Sequence, residues 1–220
     1  MAGSYWNADY WFGQGDVSVA TVYVNVEAGL VDAVNDALVA LGDQRIDSLD
    51  DDTDRARRAK QIALACLDAR LQEHDWNFAR RRAALVAEQA VPTFEFDHQF
   101  PLPTDPYCLQ VRKTDLDSTA AYSIEENAAG QRVLLCNAST VSIVYTARVF
   151  NPALWSPLFR EWYAARLAHE LAYGTTAKAE HAENLLKKSE FIGKKAKARD
   201  GQEGRRSNEP FLSDVLTRYR

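Results

Sequence analysis

Cysteine is scarce in this 220-residue chain: Cys66, Cys108 and Cys136 are odd in number, far apart, and form no Cys-x-x-Cys pair. That pattern argues against a disulfide framework or a zinc site and for reduced thiols packed as small apolar groups. No apolar run reaches the roughly 18–20 residues that span a bilayer, so no membrane insertion is expected. Residues 1–16 have neither a basic start nor a continuous apolar stretch, and do not read as a signal peptide. A reducing cytoplasm is the compartment that follows. Basic excess is lacking too: 26 Lys and Arg stand against 31 Asp and Glu, a formal net charge of −5, which disfavours a free DNA-binding protein. There is no Gly-rich phosphate loop, no His-Glu-x-x-His helix and no Gly-x-Ser-x-Gly elbow. No cofactor, metal ligand set or catalytic residue is assigned. His74, His98, His169 and His181 fall in different expected elements, and His169 reads as a core histidine on an apolar helix face.

What is present is the composition of an ordinary globular protein, 46% hydrophobic and 26% charged, enough for one large or two small domains. Residues 1–27 form an aromatic extension in which Tyr5, Trp6, Tyr10, Trp11 and Phe12 sit among Gly, Ser and Asn. Such side chains bury large areas, so this arm packs either on its own domain or on a neighbour. Within it, residues 17–26 alternate loosely and suggest a strand. A first helix follows over 28–41, with Leu30, Val31, Val34, Ala37, Leu38 and Leu41 on one face and Gly42 as its stop. Asp50, Asp51 and Asp52 precede a second helix over 53–75, where acids favour the positive helix start. A calcium loop is the sharper reading of that run, but its Gly and distal Glu are missing at the required offsets. Ala59, Ile62, Ala63, Cys66, Leu67 and Leu71 give the second helix its stripe. Arg55, Arg57, Arg58 and Lys60 read as its solvated face, with a phosphate-facing role as the rival.

Between about 82 and 149 the period shortens from 3.6 to 2. Phe94, Phe96, Phe100 and Leu102 alternate with polar residues, which predicts a half-buried strand. Further strands are expected at 122–125, 132–136 and 142–149, the last with Ile143, Tyr145, Ala147 and Val149 on one face. Ser156-Pro157 starts a third helix over 157–173. A fourth covers 176–198, with Ala182, Leu185, Leu186, Ser189, Ile192 and Ala196 as its stripe and its lysines largely opposite. Gly201, Gly204 and Pro210 break its continuation, making 200–220 a flexible tail. The tail ends in an apolar patch, either a tethered peptide ligand or a piece docked on its own domain. The expected fold is α+β: an antiparallel bundle of four main helices from both ends of the chain, carrying an antiparallel β-rich insertion.

The segment 33–78 resembles the amino-terminal helical pair of the head–tail adaptors of tailed bacteriophages, the tail tubular protein A or head-completion type. The likeness lies in Val34-Asn35-Asp36 with Leu38 and Leu41-Gly42, then Ile46 and Ser48-Leu49, then Asp75-Trp76-Asn77-Phe78. The Pro-rich stretch from Phe100 and the Ala-rich run from Ala164 are also similar. The resemblance spans roughly residues 28–198, and the aromatic 1–27 extension departs from it. It implies a structural virion protein, not an enzyme, assembled in the host cytoplasm. Such a protein forms a homo-oligomeric ring, usually of twelve copies, at the head–tail junction below the portal protein. It extends the channel through which genome DNA passes without sequence-specific binding, and it carries the downstream tail or nozzle protein. Portal contacts are expected from helix four and the tail, and tail-protein contacts from the β insertion. The candidate partner-binding residues are Lys187, Lys188, Lys194, Lys195, Arg205, Arg206, Phe211, Leu212, Val215 and Leu216.

Two rival classes stand beside it. A cell-wall-hydrolysing virion protein would need two carboxylates on one sugar cleft, for which Glu161 and Glu170 are the candidates. A helical nucleic-acid-binding protein would use the first helical pair, but its turn is too long and its second helix opens with acids that repel phosphate. For the tail, the expected outcome of removing 201–220 is an almost unchanged thermal midpoint and a tenfold or greater loss of portal attachment, on the order of 1.4 kcal/mol. A truncated protein melting far lower would assign the tail to its own core.

Overall fold

The computed structural model describes residues 19–172 and 179–203, with side chains from 29 to 172 and from 180 to 203. Four helices are described: α1 (Val19–Leu41), α2 (Asp54–Gln72), α3 (Pro157–Ala172) and α4 (Ala179–Glu203). Between α2 and α3 lie six strands: β1 (Arg80–Leu85), β2 (His98–Pro101), β3 (Cys108–Thr114), β4 (Tyr122–Glu126), β5 (Arg132–Cys136) and β6 (Val141–Ala147). They form two antiparallel sheets, ordered β1-β6-β3 and β2-β5-β4.

The expected helical bundle with a β insertion is corrected by this arrangement. The strand region divides the helices and has a core of its own. Phe100, Leu134 and Cys136 from one sheet, with Leu102 just after β2, meet Cys108, Val141, Ile143, Tyr145 and Ala147 from the other. The helices do not surround one axis either. α3 packs on α1, α2 and α4, whereas α1 and α2 meet each other much less. Helical periodicity gives the buried face of a helix but not its partner, and α3 is apolar around enough of its girth to serve three neighbours.

The turn between α1 and α2 is fixed by a few polar groups. Gly42, at φ +75°, ends α1 with the reciprocal bonds of a left-handed cap: its N–H donates to the Val39 carbonyl and that of Asp43 to Leu38. The Asn35 side chain then both accepts from the Ile46 N–H and donates to the Ile46 carbonyl, each at 2.9 Å. Thr53 caps α2 through its side-chain oxygen. The acidic run is used locally: Asp51 accepts from the N–H groups of Asp47 and Ser48, Asp52 and Asp54 hold Arg57, and Asp50 holds Lys60.

Three further expectations are corrected. Residues 19–26, read as strand, are helical and continue α1. β-branched residues lower helix propensity by only tenths of a kcal/mol each, which an established helix readily overrides. The alternation from Phe94 becomes strand only at His98, so Phe94 is 77% exposed while Phe96 is 9% exposed. Gly201 does not stop α4, which runs on to Glu203. Asp200 explains that persistence. It is buried, and its carboxylate accepts from the Asn77 N–H at 3.0 Å and meets His74 Nε2 at 3.0 Å. The Asn77 side chain in turn donates to the Asp200 carbonyl at 2.7 Å. Residues 1–18, 173–178 and 204–220 lie outside the described residues, with most of the aromatic extension and the apolar tail patch among them.

At Gly193, α4 lies directly against Trp162 of α3. A methyl added there would lie 2.5 Å from Nε1 and 2.8 Å from Cε2 of Trp162, whereas one at Gly201 would meet nothing within 4 Å. Gly193→Ala is therefore expected to destabilise by about 1–3 kcal/mol, overpacking outweighing the helix-propensity gain. Gly201→Ala should instead stabilise by up to about 1 kcal/mol. Paired urea melts test this, and a Gly193→Ala protein as stable as the parent would refute the close packing.

Candidate functional site

Among the described residues, two surfaces without a packing partner stand out, on different parts of the chain. The first is the outer face of α4. Ala182, Leu185, Ser189, Ile192, Gly193 and Ala196 are buried and turn toward α3. On the opposite face Lys187, Lys188, Lys194 and Lys195 are all exposed, and between them Phe191 is 70% exposed. At about 100° per residue, positions three and four before and after Phe191 flank it on both sides, so the four lysine positions lie around one aromatic position. Lys187 pairs with Glu183 at 2.8 Å and Lys188 with Glu161 at 3.6 Å. Both pairs are exposed, where such contacts contribute little and exchange readily. Of the predicted partner-binding residues the structure thus brings together these four lysines. Arg205, Arg206, Phe211, Leu212, Val215 and Leu216 lie outside the described residues. Phe191 was missed. Its signal was legible, since a Phe off the apolar stripe between two Lys-Lys pairs has no core position to fill.

The helix that carries this face is packed and tied on its inner side. Trp162 receives α4 at Gly193 and is covered by the Arg70 guanidinium at 5.4 Å and the Lys197 ammonium at 5.0 Å. Lys197 also pairs with Glu73 at 2.6 Å. The helix end is anchored by Asp200 on His74 and Asn77. The Asp75-Trp76-Asn77-Phe78 motif is therefore a joint. Asp75 clamps Arg80 at the start of β1, Trp76 fills the core, Asn77 holds α4, and Phe78 stacks edge-on to Phe159 at 5.0 Å.

The second surface is an open groove of about 490 Å³ on the β2-β5-β4 sheet. Phe96, Val133 and Leu135 form a small apolar cluster at its floor. Glu88, Glu95, Glu125 and Glu126 line it, together with Gln99, Asn127 and Gln131, and no cationic side chain does. Its wall bends sharply at Glu95, which has φ +73° and is spanned by a bond from the Phe96 N–H to the Phe94 carbonyl at 2.9 Å. That is a γ-turn of the rare, strained hand. It turns Phe96 into the floor and leaves Phe94 projecting. The opposite wall is the β4–β5 hairpin, where Gly130 at φ +74° and the Asn127 carboxamide, accepting from the Ala129 and Gln131 N–H groups, set the turn.

The sequence candidates for chemistry are dispersed. Glu161 and Glu170 are nine residues apart on α3, roughly 900° of rotation, which puts them on opposite sides of the helix. Glu161 meets Lys188 and Glu170 meets Arg166 at 2.9 Å. They cannot face one sugar, so this hydrolytic pair is not supported. His74 joins Asp200, His169 Nδ1 lies 2.9 Å from the Ala182 carbonyl, and His181 Nε2 lies 3.2 Å from the Ala40 carbonyl. Each makes a structural contact between elements. Among the described residues no group of three His, Cys, Asp or Glu side chains is placed to hold a metal ion. No protein-family model matches the chain, and no curated protein matches its sequence.

All three thiols are buried. Burial, with Glu170 nearby, pushes the Cys66 thiol up to about 12, and burial pushes Cys108 up to about 11. Burial also raises the Tyr163 phenol, whose O–H donates to the Ala63 carbonyl at 2.9 Å. Each group stays protonated in the fold at a pH where the unfolded chain has released the proton. Stability is thus complete below the ordinary thiol value near 9 and falls as pH rises toward 12. Urea midpoints should decline across that window, and native protein at pH 8 should leave all three thiols unmodified by an alkylating reagent. Rapid native labelling of Cys66 or Cys108 would contradict their burial.

Proposed function

We propose that this chain is a head–tail adaptor of a tailed bacteriophage. In this reading it is a structural virion protein that forms a ring below the portal, extends the DNA channel and carries the next tail component. The observation that carries the reading is the helical pair with its Asp75-Trp76-Asn77-Phe78 ending, which resembles the adaptor family in sequence. The roles of those residues lend it support. Asn35 and Ile46 lock the turn between α1 and α2, and Asn77 ties α4 back to the end of that pair. Helices braced in this way suit a protein whose mechanism is binding geometry and not bond chemistry. The two unpartnered surfaces, one on α4 and one on the β2-β5-β4 sheet, suit a subunit that meets several partners at once.

Genome DNA crosses the channel in this proposal without being read. The formal net charge of −5 and the local pairing of Arg57 and Lys60 with acids both fit a passage that does not grip phosphates. Attachment to portal, expected from helix four and the 200–220 tail, is kept here for the tail with its basic linker and apolar end, and the downstream tail or nozzle protein is assigned to the β unit. Twelve copies is the number implied by the resemblance.

Assembly on a template gives the test. The purified chain should be a monomer by light scattering at micromolar concentration and should form rings when purified portal is added. A stable small dimer that ignores portal would refute the adaptor reading.

A further inference from the structure

We infer that the outer face of α4 docks into the acid-rimmed groove of a second copy of this chain, Phe191 entering the groove and its lysines meeting the rim. The two surfaces match in shape and sign. One is an aromatic knob ringed by Lys187, Lys188, Lys194 and Lys195. The other is a groove with an apolar floor whose four charged lining residues are all glutamates, and its volume of about 490 Å³ has room for an aromatic ring. Phe191 and Phe94 are both largely exposed, so among the described residues neither is covered by its own chain. α4 packs on α3, whereas the groove belongs to strands β2, β4 and β5 and the loop before them.

A knob and a socket on different faces make a head-to-tail contact, which generates a closed ring or an open helix according to the rotation per step. A single contact of this size falls well below the ~800 Å² per partner of a standard stable interface. Free subunits therefore associate weakly, and a template that holds many copies side by side raises the effective concentration of each contact. The inference deepens the adaptor reading by naming which surfaces neighbouring copies share. It also assigns the lysines of α4 to a neighbour and not to portal. The contact itself requires no portal, so the two proposals are tested separately.

Equal amounts of ¹⁵N-labelled and unlabelled protein, mixed at high concentration in low salt, are treated with a carbodiimide that joins touching Lys and Glu side chains. Peptides linking Lys194 or Lys195 to Glu125 or Glu126 should be found with mixed isotope labels, as expected of links between copies. Phe191→Ser should lower their yield at least tenfold, and so should added salt. The charge reversals Lys194→Glu with Lys195→Glu, and Glu125→Lys with Glu126→Lys, should each abolish self-linking, while a mixture of the two doubly reversed proteins should regain linking between them, since each supplies a surface opposite in sign to one on the other. Combining all four reversals in one chain should restore it. All of these positions but Phe191 are exposed charged residues, and circular dichroism of each variant checks that it folds. Links found only within one copy, or links indifferent to Phe191, would overturn the inference. So would retention of DNA that depends on the same lysines in the absence of links between copies. Links between copies without portal-dependent rings would leave this contact standing and refute the adaptor reading; rings without these links would do the reverse.

Discussion

Trp76 is the side chain on which the rest of the helical half depends. It is fully buried, edge-on to Phe159 at 4.9 Å and tilted against Trp162 at 5.7 Å, with His74 and Phe78 on its other sides. Its indole N–H donates to the Arg70 carbonyl at 3.0 Å, satisfying one of the groups that the end of α2 leaves open. One residue thus fixes where α2 ends, where β1 begins, and how α3 lies across both. Aromatic pairs of this geometry contribute about 0.5–1.5 kcal/mol each beyond the area they bury. Their larger effect is orientation, because Trp162 so placed offers α4 a surface that admits only glycine at position 193.

The two halves are joined by arginines as well as by Leu109 and Val149, which pack into the helical core. Arg148, leaving β6, forms a two-point pair with Asp68 on α2 and lies over the Tyr107 ring at 4.5 Å. Arg112, on β3, donates to the carbonyls of Gln72 and His74 and to the Thr146 hydroxyl. A planar fork that reaches the end of a helix while seated in a sheet sets the angle between them more tightly than a hydrocarbon contact would. The consequence is a subunit whose α4 face and β groove sit on separately cored parts with polar ties between.

The groove differs in character from everything around it. Most of the molecule places acid beside base, as at Arg80 with Asp75 and Arg160 with Asp36. The groove gathers glutamates without cations and is bounded by a strained γ-turn at a non-glycine residue. Strain of that kind persists only where surrounding structure enforces it, and it is commonest at sites that bind. The outer face of α4 is the complementary departure, an exposed ring among lysines.

Local periodicity was enough to mark the buried stripes. Ala182, Leu185, Ile192 and Ala196 on α4, and Ile143, Tyr145 and Ala147 on β6, stand out in the sequence and lie in the cores. The glycine stop at Gly42 was likewise legible, because a positive φ is a local demand. What only the tertiary structure decided is partnership. Nothing in the sequence pairs Asn35 with Ile46 or Asp200 with Asn77, and the second contact carries α4 past a glycine expected to end it. The alternation at Phe94 and Phe96 promised one buried face, but backbone sterics at Glu95 sent one ring inward and the other out. The bundle expected from four helical stripes gave way to a hub at α3 and a β unit with its own core. A stripe records how much apolar surface must leave water, which composition and spacing determine; which surface it meets is set by the connections, angles and volumes of the whole chain.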